Sequence, residues 1–298
     1  MKYVEEALIF KASGASLLGI VSRPEGDADC GVLIVVGGPQ YRVGSHRQFL
    51  LLARRLAAAG YPALRFDVRG MGDSDGDVRS FEDLTGDIGA AIAAFKAACP
   101  ALERVVLWGL CDAAAAALLY VEAVGDSGIA GLVLANPWVR SEASLARTQI
   151  KHYYAQRLLR RDFWIKLLRG KLPVVQSLRA LLKTARSARE PDVESGAGEK
   201  TYQERMAEGL RNFRGPVQLI LSGQDYTAKE FIEFVGTSSA WSGLLDAERV
   251  CRVELSDADH TFSSAASRAM VEDATLTWLN RLRRDGGNSS PGRKRRSR

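Results

Sequence analysis

The 298-residue chain is 46% hydrophobic, 26% charged and 8% aromatic, which excludes disorder over most of its length and allows a sizeable core. Its 28 glycines follow no fixed period and no heptad run is sustained, so collagen and coiled-coil architectures are excluded. The formal charge of +6 sits at the C-terminus: residues 281–298 hold eight basic residues and one acid, leaving 33 basic against 34 acidic elsewhere. The body of the chain is therefore not basic, and no specific nucleic-acid partner is expected.

The elements read in chain order as two strands followed by alternating strands and helices. Ala7 to Ala12 and Ser16 to Ser22 meet at Ser13-Gly14 as a hairpin. Gly31 to Val36 is a continuous apolar run, the pattern of a buried parallel strand, and it ends in Gly37-Gly38-Pro39. Ser45 is expected to cap a helix that runs to Ala59 and closes at Gly60. Pro62 to Phe66 is the next strand, and the glycine-rich loop 69–76 follows it. Phe81 to Ala98 has helical spacing. Val105 to Trp108 is a short buried strand that turns at Gly109-Leu110-Cys111-Asp112-Ala113 into the small-residue helix Ala113 to Val124. Ile129 to Ala135, Val217 to Leu221 and Arg252 to Leu255 are further strands, and a last helix covers Ser264 to Leu282. Strands alternating with helices of these lengths predict an α/β fold with a mostly parallel sheet flanked by helices.

Residues 140–214 break this pattern. Lys151 to Glu190 holds eleven basic residues and two acids, with apolar residues at helical spacing. The expected organisation is an α/β core over 1–139 and 215–284, a helical lid insertion over 140–214, and a basic flexible tail over 285–298. The tail is expected to touch anionic surfaces rather than to carry the main function.

The four cysteines (Cys30, Cys99, Cys111, Cys251) stand far apart with no CxxC pair, which argues against a zinc ribbon and a disulfide-dense secreted fold. The N-terminus MKYVEEALIF has acids where a signal peptide needs a basic region, and no 18-residue apolar run exists. The cytoplasm is the expected compartment. No histidine cluster and no phosphate-binding loop appears, so neither a metal nor an organic cofactor is expected.

The chemistry concentrates in loops at the carboxyl ends of strands, where α/β folds place their sites. Gly109-Leu110-Cys111-Asp112-Ala113 is a sharp strand-to-helix turn, with small residues two before and two after its centre. A helix N-terminus there favours a nucleophilic thiolate at Cys111. A base and an orienting acid are then needed, in the chain order nucleophile, acid, histidine. His260, in the loop after the last strand, is the expected base, against His46 and His152. Asp225, in the loop after Val217 to Leu221, is the expected acid, with Glu230, Asp257 and Asp259 as rivals. An oxyanion hole would draw one backbone amide from Asp112 and a second from Gly38 or Gln40; Pro39 has no N–H to give. Tyr41 and Arg42, in the same loop, are candidates for contacting substrate. The Asp112 side chain is awkward beside a thiolate. Its alternatives are charge at a helix N-terminus, a contact with substrate, or pairing with Arg42.

With Gly37-Gly38, Arg65 to Ser74, the turn at Cys111, Asp225 and His260 in this order, the chain resembles the α/β-hydrolase superfamily over nearly its whole length, up to about Arg284. A narrower resemblance, to the first type of exosortase-A-system-associated hydrolases, rests on three strings: Gly37 to Phe49, Trp108 to Ala113 and Asn136 to Arg140. The resemblance implies a bacterial cytoplasmic hydrolase linked to exopolysaccharide production and to the sorting of proteins with a C-terminal anchor signal. It implies no particular substrate. Cys111 stands where the wider superfamily has serine, as in dienelactone hydrolases.

The expected activity is cleavage of an ester or thioester by a Cys111–His260–Asp225 triad on a small-molecule acyl substrate. An acyl carrier or an acylated sugar would suit the basic insertion. The alternatives are acyl transfer on the same site and a non-catalytic binding protein on a hydrolase fold.

Overall fold

The computed structural model describes residues 1–38, 40–126, 128–140 and 200–288. Its centre is an eight-stranded sheet: β1 (Tyr3–Ala12), β2 (Ala15–Pro24), β3 (Cys30–Val35), β4 (Ala63–Phe66), β5 (Arg104–Leu110), β6 (Ile129–Ala135), β7 (Val217–Ser222) and β8 (Val250–Leu255). The spatial order is β1-β2-β4-β3-β5-β6-β7-β8. β1 pairs antiparallel with β2, and β2 antiparallel with β4; every later pairing is parallel. Ala12 faces Ala15 across a two-residue turn in which Ser13 and Gly14 take φ of 47° and 87°. Positive φ at both central residues gives the tight turn whose twist matches that of the strands.

Among the described residues, six α-helices flank the sheet: α1 (Gln48–Ala58), α2 (Thr85–Ala98), α3 (Asp112–Val124), α4 (Tyr202–Asn212), α5 (Tyr226–Thr237) and α6 (Ala265–Asn288). The central strands are buried on both faces and feed alternate residues to the two sides. Leu33, Val35, Val105 and Leu107 join one cluster with α2, α3, α4 and α5. Val32, Ile34, Val106 and Trp108 join the other with α1 and α6. Two-sided burial explains why these strands read as unbroken apolar runs. The fold is that of an α/β-hydrolase.

Three local features depart from the sequence expectations. Ser45 makes no side-chain cap; a 3-10 turn covers Ser45–Arg47, α1 begins at Gln48, and the amides of Phe49 and Leu50 bond the Val43 carbonyl. Residues 200–212, assigned by sequence to the insertion, include a core helix. Met206, Ala207 and Leu210 are buried in the α3 cluster. Gly209 lets α4 and α3 approach, since a Cβ there would collide with the Leu118 carbonyl. A Thr201–Glu204 capping box starts this helix. Third, α5 follows Asp225 directly where the sequence suggested only a loop. The rest of the expected lid, 141–199, and the tail beyond Asn288 lie outside the described residues. Among the described residues, no helix is long and apolar enough to cross a membrane.

β4 lies on one side of β3 and β5 on the other, so the chain reverses its winding direction at β3. A crevice opens outside the carboxyl ends of the strands at such a reversal. The loops after β3 and β5 meet there.

Candidate functional site

The turn after β5 is built by close backbone packing. Cys111 takes φ 62° and ψ −122°, outside the regions an L-residue ordinarily occupies, and precedes α3 directly. The turn is this sharp because Gly109 lies on the first turn of α3. A Cβ on Gly109 would sit 2.5 Å from the Ala113 carbonyl group. Backbone cannot yield as a side-chain tip does, so Gly109→Ala is expected to cost on the order of 3 kcal/mol. Chemical denaturation of the purified variant checks this. Gly37 is under the same constraint from the other side, because a Cβ there would overlap the Asp112 carboxylate.

The structure brings Cys111, His260 and Asp225 together. His260 Nδ1 donates to Asp225 Oδ2 at 2.8 Å. The Asp225 carboxylate also caps α5, accepting from the amides of Thr227 at 3.0 Å and Ala228 at 3.2 Å. Capping and orienting the imidazole are thus the work of one side chain, and the helix fixes its direction. Asp225 is 5% exposed. The hydrogen bonds to Asp225 and then to the Cys111 sulfur raise the His260 pKa from 6.5 to about 10, against the opposing effect of burial. The ring is therefore held as an imidazolium at neutral pH, in reach of the sulfur.

Two of the rival acids, Glu230 and Asp259, are engaged elsewhere. Glu230 is buried and accepts from Arg140 Nε at 3.0 Å. Asp259 accepts the Ser263 amide at 2.9 Å and the Ser263 hydroxyl. Asp257 is exposed, His46 belongs to the 3-10 turn before α1, and His152 lies outside the described residues.

The expected oxyanion donors are already taken. The Gly38 amide donates to Asp112 Oδ2 at 2.6 Å. The Gln40 amide donates to the Gly38 carbonyl at 2.8 Å. Burial raises the Asp112 carboxyl, while the amides of Gly38, Ala113 and Asp112 itself, and the His260 charge, pull it down. The carboxylate thus holds the Gly38 amide, one of the donors expected of an oxyanion hole, while Arg42 pairs with Asp67 and Asp73.

Arg42 is 9% exposed, and its guanidinium, expected at the substrate, is instead taken by Asp67 and by Asp73 at 2.8 Å. Fully buried Asp67 also accepts the amides of Arg42 at 2.6 Å and Asp73 at 3.0 Å. One carboxylate thereby ties the loop after β3 to the loop after β4. Sequence reasoning missed Asp67 in this role; its place between a strand and a glycine-rich loop was the available signal. Tyr41 stays exposed, with its hydroxyl donating to Asp73 at 3.0 Å. Among the described residues, no group of three or more His, Cys, Asp or Glu is arranged to hold a metal.

Residues 31–226 match the serine aminopeptidase, S33, family. The chain belongs to this family of α/β-hydrolases. The match spans the strands from β3 to β7 and both loops that frame Cys111. An esterase of Pyrococcus furiosus superposes with a TM-score of 0.63 at 17% identity, over 94% of this chain and 91% of that one. Est1E from Butyrivibrio proteoclasticus, solved with ferulic acid bound, gives 0.60 at 15% identity, over 93% and 99%. An acylaminoacyl peptidase of Pyrococcus horikoshii gives 0.62 at 16% identity, over 94% of this chain and 41% of that one. At these identities the likeness is one of fold. No curated protein matches the chain. The family is named for a serine enzyme, and this hydrolase carries Cys111 at the turn.

Proposed function

We propose that this hydrolase cleaves an ester or thioester through Cys111, with His260 as acid and base and Asp225 orienting the ring. The observation that carries the reading is the 2.8 Å contact from His260 to Asp225 beside a cysteine on a strained turn. A thiolate–imidazolium pair lets the Cys111 sulfur attack the acyl carbon without a prior proton transfer. The carbonyl π electrons move to oxygen. As the tetrahedral oxyanion collapses, the bond to the leaving group breaks and the far nitrogen of His260 gives that group its proton. A thioester on Cys111 remains. Neutral His260 then takes a proton from water, the resulting hydroxide displaces the sulfur, and the acid departs with the ion pair restored.

The strings from Gly37 to Phe49, Trp108 to Ala113 and Asn136 to Arg140 support a place in bacterial exopolysaccharide and exosortase systems. They also support the cytoplasm as compartment. The basic residues of 151–190 favour an anionic partner such as an acyl carrier or an acylated sugar. The non-catalytic reading draws on one specific observation, the Asp112 carboxylate on the Gly38 amide.

The test is intact-protein mass spectrometry after brief exposure to p-nitrophenyl acetate and to a short acyl thioester. One acyl group is expected, mapped to Cys111 and absent from Cys111→Ala. Label on Cys30, Cys99 or Cys251 instead, or equal label on the variant, would overturn the reading.

A further inference from the structure

We propose that Asn136 is a positioning residue that sets the separation of Cys111 and His260. The inference rests on the cysteine–histidine reading above and concerns a residue with no part in the bond-making steps.

Asn136 follows β6, is fully buried and takes φ 43°. Its amide oxygen accepts from the Ser222 amide at 2.8 Å. Its amide nitrogen donates to the Ser222 hydroxyl at 2.9 Å and to the His260 carbonyl at 3.2 Å. The Ser222 hydroxyl passes the tether on, donating to the Asp259 carbonyl at 2.9 Å. Two consecutive carbonyls of the histidine loop are thus held from one buried side chain. The same short run of chain grips the nucleophile. The Cys111 amide donates to the Ala135 carbonyl at 2.9 Å, and the Trp138 amide donates to the Cys111 carbonyl at 3.2 Å. The Asn136 amide, in turn, is fixed on the Ile220 carbonyl at 2.9 Å.

Residues 135–138 therefore touch the cysteine turn on one side and the histidine loop on the other, across residues far apart in sequence. Chemistry explains the choice of side chain. The position needs one acceptor and two donors at the reach of a short amide, and an aspartate would set an acceptor against the His260 carbonyl. Asparagine also tolerates the left-handed backbone better than most residues. Cys111 and Phe262, which flank this gauge, take positive φ of 62° and 52° as well. Strain of this kind persists where surrounding bonds over-determine the backbone.

The experiment uses Asn136→Gly, which suits the backbone angle, and Ser222→Ala, which removes the tether to Asp259 and the hydroxyl that accepts from Asn136 but leaves the bond from Asn136 to the His260 carbonyl. Cys111 alkylation by iodoacetamide is followed against pH by mass spectrometry, with kcat and KM on p-nitrophenyl acetate. Misplacing paired groups by a fraction of an ångström costs about ten- to a hundredfold, so Asn136→Gly should lose about that much in kcat with KM nearly constant. Its alkylation profile should shift toward that of an isolated thiol. Ser222→Ala should change in the same direction by less. A folded Asn136→Gly with wild-type kcat and alkylation profile overturns the proposal, and if that variant does not fold, an unchanged Ser222→Ala does so. Wild-type Cys111 alkylating no faster than Cys251 would instead remove the cysteine–histidine pair itself, and the proposal with it.

Discussion

Cys111→Ser is expected to lose about a hundredfold or more in kcat/KM on an activated ester at pH 7, the range a general base contributes. The reason lies in the base. Hydrogen bonds to Asp225 and to the sulfur keep His260 protonated up to about pH 10. That state suits cysteine, because the proton already rests on the ring and the ring can give it to the leaving group. A serine hydroxyl needs the opposite, an empty ring nitrogen to receive its proton. Exchanging sulfur for oxygen replaces an acceptor able to carry negative charge by a neutral hydroxyl, so the ring titrates lower in the variant, though Asp225 still holds it up. The residual rate should therefore rise steadily with pH above neutrality, while the wild-type rate stays flatter. Steady-state kinetics from pH 6 to 10 separates the two profiles. A serine variant as fast as wild type, with a flat profile, would mean a neutral His260 and a site indifferent to its nucleophile.

The parts of the site visible in the sequence were those encoded by neighbours in the chain. Gly109 and Ala113 bracket Cys111 within five residues, and unbroken apolar runs mark strands buried on both faces. Asp225 and His260 could be placed because topology puts the loops after consecutive parallel strands side by side. What was hidden depends on partners far away. Nothing adjacent to Arg42 reveals that Asp67 and Asp73 close on it, so a charged residue in a glycine-rich loop looks like a substrate contact when it is a buried staple. Asn136 reads as a turn residue before a proline until Ser222 and His260 arrive from 86 and 124 residues later. Helix α5 escaped notice because Asp225, seen as an acid in a loop, is also its cap. The Asp112 side chain was recognised as awkward, but its destination needed the position of Gly38 after β3.

That destination carries the second large effect. Asp112→Ala is expected to raise kcat/KM on a small activated ester about tenfold, since a hydrogen bond to a charged group is worth about 1.5–3 kcal/mol and each 1.4 kcal/mol is a factor of ten. If the Gly38 amide serves the proposed reaction, an acyl oxygen has to displace the carboxylate that sits on it at 2.6 Å. The seat is well made. Gly37 leaves it room, and the amides of Ala113 and Asp112 add to the hold. Burial pushes the Asp112 carboxyl pKa up against the pull of those amides and of His260, so the charged form is held less firmly than its hydrogen bonds alone would hold it. Alanine removes it while keeping the backbone amides in place. The cost is the loss of negative charge at the start of α3, about 0.5 kcal/mol of stability. Paired kinetics and thermal melts of wild type and variant test both parts. A tenfold fall instead of a rise would make the carboxylate a participant in turnover. If wild type and Asp112→Ala are both inert toward every ester and thioester supplied, and Cys111 alkylates like an ordinary thiol in each, the carboxylate is the settled occupant of a hole that no longer serves catalysis, and the weight moves to binding on a hydrolase fold.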